Sequence, residues 1–238
     1  MLRTFLAAAV RRARRLAICC LWLAAAGVTG VRGQGRPDGS VPAGPALSAG
    51  LGVCYLSARD VVDLVNATAG GAQRVSQFTA FGEFFGAFSL PVSANWILKF
   101  EYAYLTGSYA VSSLYGPADF SVTAHLPSVL AQYVLAERGV YDLKVGIGAG
   151  YHVGTLAEKF LTIDDRYTGK GPGLVAELEG NTAFGEHLFA FLGVNIRWSF
   201  IGALANQAGV SPGRASGGGG TTLALVGAGA RLGMSYHF

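Results

Sequence analysis

Charge is scarce in this chain. Asp, Glu, Lys and Arg make up 13% of its 238 residues, against 51% hydrophobic residues. That is apolar for a domain surrounded by water. Long apolar runs are also missing beyond the first thirty residues. A membrane-spanning helix needs about 20 consecutive apolar residues. The longest later charge-free stretches, 102–118 and 215–230, are interrupted by Gly, Ser, Thr or Pro. Helical spans are therefore excluded, and the hydrophobicity must be dispersed among small and polar residues. Cysteine is scarcer still, with Cys19, Cys20 and Cys54 only.

The first 33 residues read as a secretory signal peptide. Arg3, Arg11, Arg12, Arg14 and Arg15 form a basic region, and an apolar core follows over 16–28. Cys19 and Cys20 fit a lipoprotein signal poorly, because Ile18 stands where a small residue is needed. Six arginines and no acids fall in 1–33, so the remainder carries 12 basic and 14 acidic residues, a net charge of −2. The basic isoelectric point belongs to the leader, and no nucleic-acid partner is expected. Cys54 alone remains after cleavage, which excludes an internal disulfide or a cysteine metal site. Residues 34–45, rich in Pro and Gly, read as a flexible lead-in.

From residue 46 onward the dominant signal has a period of two. In 221–238, Ala224, Val226, Ala228, Ala230, Leu232, Met234, Tyr236 and Phe238 share one face. Small or polar residues, with Arg231, take the other. The same alternation predicts strands at 46–57, 74–90, 96–105, 120–135, 141–154, 172–182 and 188–200. In 120–135 the apolar parity changes across Pro127, which predicts a β-bulge there. Residues 58–73 are expected to form a loop with one or two helical turns. The other long loops are expected at 106–119, 155–171 and 201–220, and short turns at 91–95, 136–140 and 183–187.

Eight strands with alternating long and short connections match a transmembrane barrel. Aromatics gather at the strand ends, with Trp96, Tyr141 and Tyr236 at one level and Tyr55, Phe78, Tyr104, Tyr151 and Trp198 at the other. A soluble lipocalin-like barrel would reverse the two faces. The nearly unbroken apolar face, the glycine-rich opposite face and the missing Gly-x-Trp motif go against it.

The ending Met234-x-Tyr236-x-Phe238 resembles the assembly signal of bacterial outer-membrane barrels. Over 46–238 the chain resembles the small eight-stranded proteins of the OmpA, OmpX and OmpW type. The resemblance implies an all-β, antiparallel, up-and-down transmembrane barrel in the bacterial outer membrane. Both termini would be periplasmic. Its partners would be outer-membrane lipids and lipopolysaccharide, the barrel-assembly machinery and a surface ligand.

Parity places Glu83, Lys99, Glu101, Lys144, Glu177, Glu179, Arg197 and Arg231 inside. Four acids and four bases in so narrow a lumen predict ion pairs that close it, with Lys144 and Glu179 as one pair. The expected function is a membrane anchor and surface-interaction scaffold that acts through four external loops. A small-solute or hydrophobic-molecule channel is the alternative. A lipid A-modifying enzyme ranks lower: His125, Ser128, His152 and Glu177 supply the residue types for nucleophile activation, without a local motif. Gly146-x-Gly148-x-Gly150 is not a dinucleotide fingerprint, since the third spacing is wrong. No cofactor and no enzymatic activity are expected.

Overall fold

The computed structural model of the chain describes residues 44–69, 74–113, 116–138, 140–160, 163–212 and 220–238. The expected leader, 1–33, and the lead-in as far as residue 43 lie outside the described residues. Eight antiparallel strands close into one barrel in sequence order. They are β1 (Ala46–Ser57), β2 (Phe78–Pro91), β3 (Trp96–Ser113), β4 (Gly116–Arg138), β5 (Tyr141–Phe160), β6 (Ile163–Ala183), β7 (Leu188–Ala203) and β8 (Thr222–His237). Among the described residues one helix, α1 (Arg59–Thr68), follows β1. No described helix is long and apolar enough to cross a membrane.

The register sets the barrel's shape. From Trp96, cross-strand partners run through Tyr133, Val145, Leu178, Val194, Ala230, Val53 and Gly82. The path returns to β3 at Thr106, ten residues above its start. A stagger of ten over eight strands gives a tilt of about 40° and a backbone radius of about 8 Å. Height then rises about 2.5 Å per residue along a strand, and about 3 Å per step from β3 toward β6 along the register.

Outward residues between Trp96 and the level of Tyr104, Tyr151 and Trp198 form an apolar belt about 20 Å tall. Leu51, Phe84, Phe100, Ile147, Leu174, Ile196 and Leu232 all lie exposed in it. Above the belt the polarity reverses. On β3 the outward series continues as Thr106, Ser108 and Ala110, while Leu105, Tyr109 and Val111 turn inward and are buried. β4 does the same, with Asp119 and Ser121 exposed and Phe120, Val122, Ala124 and Leu126 buried.

This reversal corrects three expectations. The segments 106–119 and 155–171 are largely strand, not loop, because alternation persists there with its faces exchanged. No bulge forms at Pro127: the pairing runs unbroken through Leu126–Ala103, Pro127–Tyr102 and Ser128–Glu101. The parity change marks the point where β4 leaves the belt, so Val122, Ala124 and Leu126 point inward. The register shift in β4 lies instead between Val134 and Ala136. β2 begins at Phe78 and not at residue 74.

α1 explains why the upper interior is apolar. Val61, Val62 and Val65 recur on one face and are fully buried. They pack in a core with Leu56, Phe81, Leu105, Phe120, Leu156, Ile201, Leu223 and Leu225. Burying each valine contributes about 1.5–3 kcal/mol. Leu204, from the segment after β7, joins the same core. The Asp60 carboxylate accepts hydrogen bonds from the backbone N–H and hydroxyl of Thr222, tying α1 to the start of β8. Asn66 grips the backbone of Val75 by its N–H (2.7 Å) and its carbonyl (3.4 Å), which fixes the way back to β2.

Candidate functional site: the barrel lumen

Below the apolar core the inward positions carry charge. Lys99 and Glu101 stand two apart on β3, and Glu177 and Glu179 two apart on β6, so each pair shares the lumenal face. The Lys99 ammonium reaches across the barrel to Glu177 (3.0 Å) and Glu179 (2.9 Å), and lies 3.4 Å from Glu101. Arg231 on β8 spans Glu83 (2.7 Å), Glu101 (2.7 Å) and Glu177 (3.3 Å). Arg197 on β7 meets Glu83 (2.9 Å) and Glu101 (2.8 Å). Its guanidinium also makes it one of the largest side chains buried completely.

Seven of the eight lumenal residues expected from the sequence thus join one network. Lys144 is separate. It faces Glu179 across the β5–β6 ladder, yet its ammonium lies 3.2 Å from Asp142, two residues back on its own strand. Asp142 was visible by parity as an inward residue beside Lys144, but no partner was foreseen for it. The neutral members were missed as well. Gln132 donates to Glu177 (2.8 Å), Asn195 to Glu83 (3.3 Å), and Asn181 to both Asp142 (2.7 Å) and Glu179 (3.1 Å). The Cys54 thiol donates to Glu83 at 3.0 Å. These donors matter because five buried carboxylates face four buried cations. Neutral hydrogen bonds stabilise carboxylate oxygens that the cations do not reach.

Beside the network, on the β2, β7 and β8 walls, the lumen is lined by aromatic side chains. Phe85 packs on Phe191 at 5.4 Å between ring centroids, and the Arg231 guanidinium lies 4.7 Å from the Phe85 ring centroid. Phe189 lies against His237 near the lower rim, the two rings tilted and 4.5 Å apart between centroids. The interior therefore has two storeys: ionic and aromatic side chains share the lower one, and aliphatic side chains fill the upper one under α1.

The four residues considered for nucleophile activation do not come together. His125 faces outward, and its Nδ1 meets the Tyr102 hydroxyl. Glu177 is committed to Lys99 and Arg231. Ser128 does approach His152, with Oγ 3.3 Å from Nε2. The far side of that imidazole is held by the Ser199 hydroxyl at 2.8 Å, not by a carboxylate. His152 is also fully buried within the wall. The imidazole lies where a side chain at position 173 would be, since a Cβ on Gly173 would stand 2.0 Å from His152 Cε1. Ser128, His152 and Ser199 thus satisfy one another at the boundary between the ionic and aliphatic storeys. Among the described residues no group of three or more His, Cys, Asp and Glu is placed to hold a metal ion.

At the lower rim, Met234, Tyr236 and Phe238 point outward. The Phe238 N–H donates to Pro45 at 3.0 Å, and its ring meets Tyr236 edge-on at 5.3 Å. β8 closes on β1 from Ala46–His237 upward.

No protein-family model and no curated protein matches the chain. Solved structures do. Neisserial surface protein A is 12% identical over 82% of this chain and 97% of its own, with a TM-score of 0.50. OprG from Pseudomonas aeruginosa is 15% identical over 88% and 99%, with a TM-score of 0.49. Ail of Yersinia pestis is 10% identical over 82% and 99%, with a TM-score of 0.46. The match to the neisserial protein shows the fold: this chain has the architecture of a small eight-stranded outer-membrane barrel.

Proposed function

We propose that the protein is an integral barrel of the bacterial outer membrane, a closed anchor that presents its upper end as a contact surface. The observation that carries this reading is the filled interior. Ionic and aromatic side chains below and aliphatic ones above occupy a lumen whose wall leaves little spare width. A channel for small solutes needs a continuous polar path, and the aliphatic layer under α1 interrupts one. A lipid-modifying site needs a nucleophile that substrate can reach, whereas Ser128 and His152 are buried.

The apolar belt supports burial in hydrocarbon, where a charge at mid-depth costs about 2–4 kcal/mol. Both ends of the barrel chain, at Ala46 and Phe238, lie opposite α1, which favours a periplasmic lower rim. The contact surface is then α1 with the protruding β3–β4 and β5–β6 hairpins, and a surface ligand is its expected partner. The barrel-assembly machinery and the lipids of the membrane, lipopolysaccharide included, complete the expected partners, with no nucleic acid.

Planar-bilayer recordings of the refolded barrel test the closed lumen. No unitary conductance above the lipid background is expected, and sustained open steps would overturn the reading. Single cysteines in a Cys54→Ser background test the orientation. Those within 106–119 and 155–171 should label in intact cells, and those at 91–95 and 136–140 should not. The opposite pattern would invert the barrel.

A further inference from the structure

The outer end of the β5–β6 hairpin holds two carboxylates that the closed-anchor reading leaves unused. Glu158 and Asp165 are direct partners across the ladder, and parity turns both to the inner face. Glu158 stands seven residues beyond Tyr151. That is about 18 Å above the upper edge of the belt, outside the hydrocarbon. The surroundings of the pair are apolar. On β4 the ladder partner of Glu158 is Phe120, which is fully buried. The next inward pair below is Leu156 with Tyr167, both buried, and Phe160 packs against the same core from above. Glu158 and Asp165 are themselves half-buried.

Among the described residues no cation faces the pair. Lys159 and Arg166 are the neighbouring bases on the two strands, and parity turns both outward, where they are exposed. Lys159 lies 3.9 Å from Asp164 on that outer face. β4 offers Ala118 and Phe120 to the inner face, and its Asp119 points out. The one titratable group from β6 beside the pair is Tyr167, whose hydroxyl donates to Asp165 at 3.2 Å. Like charges directly opposite one another destabilise a strand pair. Burial, then the charge of Asp165, push the Glu158 carboxyl up from its ordinary value. The hairpin end is also thinly held. β7 pairs with β6 only from Gly173, and Thr168 bridges Ala205, so 163–167 is laddered to β5 alone among the described residues.

We propose that the end of this hairpin is a proton-operated clasp. When it is closed, Glu158 and Asp165 share one proton between their carboxyls. As 163–167 separates from β5, both carboxyls regain water and the proton passes to solvent. The closed end thus binds the proton more tightly than the open one. The gain from closing is full below pH ~4.3, the ordinary Glu value, and is lost as pH rises through the higher value of the closed end. This goes beyond the anchor reading and holds whichever side the upper end faces. Where that end serves as a contact surface, one edge of the surface is ordered by acid and loosened as pH rises.

The test uses the mature barrel refolded in lipid bilayers. A nitroxide is attached at Arg166→Cys in a Cys54→Ser background, and electron paramagnetic resonance reads its mobility between pH ~4 and ~8. The ratio of mobile to immobile label should rise about threefold over that range, the scale of a like-charge cross-strand pair. Glu158→Gln or Asp165→Asn should leave the label immobile at every pH. Asp164→Asn, on the outer face, should keep the titration, and a label at Lys170→Cys, below the Thr168 bridge, should show none. A flat profile with Glu158 and Asp165 both present, or a titration that survives in the Glu158→Gln/Asp165→Asn variant, would overturn the proposal. The first of these needs no substitution in the pair, so it decides the question even where a variant fails to fold. Failure of the contact-surface reading would leave the titration unchanged, since the label reads the hairpin and no ligand.

Discussion

Lys144 and Glu179 are direct partners across the β5–β6 ladder, yet they do not form a salt bridge. Lys144 turns to Asp142 at 3.2 Å, and Glu179 to Lys99 at 2.9 Å on the opposite wall. Removing one partner of a buried ion pair costs about 3–5 kcal/mol. Lys99→Met is therefore expected to lower stability by that amount. In urea unfolding, a double-mutant cycle of Lys99→Met with Glu179→Gln should show coupling of about 1–3 kcal/mol. The cycle of Lys144→Met with Glu179→Gln should show a clearly smaller coupling, because Lys144 reaches Glu179 through Asp142 and Asn181 and not by a direct ion pair. A larger coupling for the second pair would reverse the assignment.

Gly173 is required by its neighbour. A Cβ there meets the His152 ring at 2.0 Å, and that ring is pinned by Ser128 and Ser199. Gly173→Ala should destabilise the barrel by about 1–3 kcal/mol. In a His152→Ala background the same substitution should cost clearly less. Equal costs in both backgrounds would show that the clash lies elsewhere.

Phe238 contributes one backbone hydrogen bond and an exposed ring to the folded barrel. Its removal is expected to change unfolding free energy by about 1 kcal/mol or less. The yield of folded barrel in cell outer membranes should fall much further. Heat-modifiability on gels measures the yield, and equal yields with and without Phe238 would remove it from assembly.

Tyr167 lies above the belt, and its hydroxyl donates to Asp165 at 3.2 Å. Burial, then the negative charges of Asp165 and Glu158, push its phenol up to about 12. The folded state thus holds this proton more tightly than the unfolded chain. The stability it contributes is full below pH ~10 and declines as pH rises toward the folded value. Ultraviolet titration of the folded barrel should show a tyrosinate step near the upper value, lost in Tyr167→Phe. An unchanged profile would refute it.

The alternation made eight strands, their order and most of their lumenal faces legible. Side chains on a strand alternate strictly, and a wall between hydrocarbon and a polar lumen writes that period into the residues. Above the belt the same period was read as loop, and at Pro127 as a bulge. There the outside is polar and the inside apolar, so the pattern continues with its sign exchanged. α1 causes the exchange, and 59–68 reads locally as a turn or two of helix with no sign of where it packs.

The sequence by itself determined that Glu83, Lys99, Glu101, Lys144, Glu177, Glu179, Arg197 and Arg231 share one interior. Only the closed barrel decided who pairs with whom. Ladder neighbours follow from counting along adjacent strands, but partners across the lumen depend on the stagger of the whole ring. A displacement of ten residues brings β3 Lys99 level with β6 Glu177 and Glu179, and β8 Arg231 level with β3 Glu101. No local stretch carries that displacement, because it is the sum of eight registers and exists only once β8 meets β1.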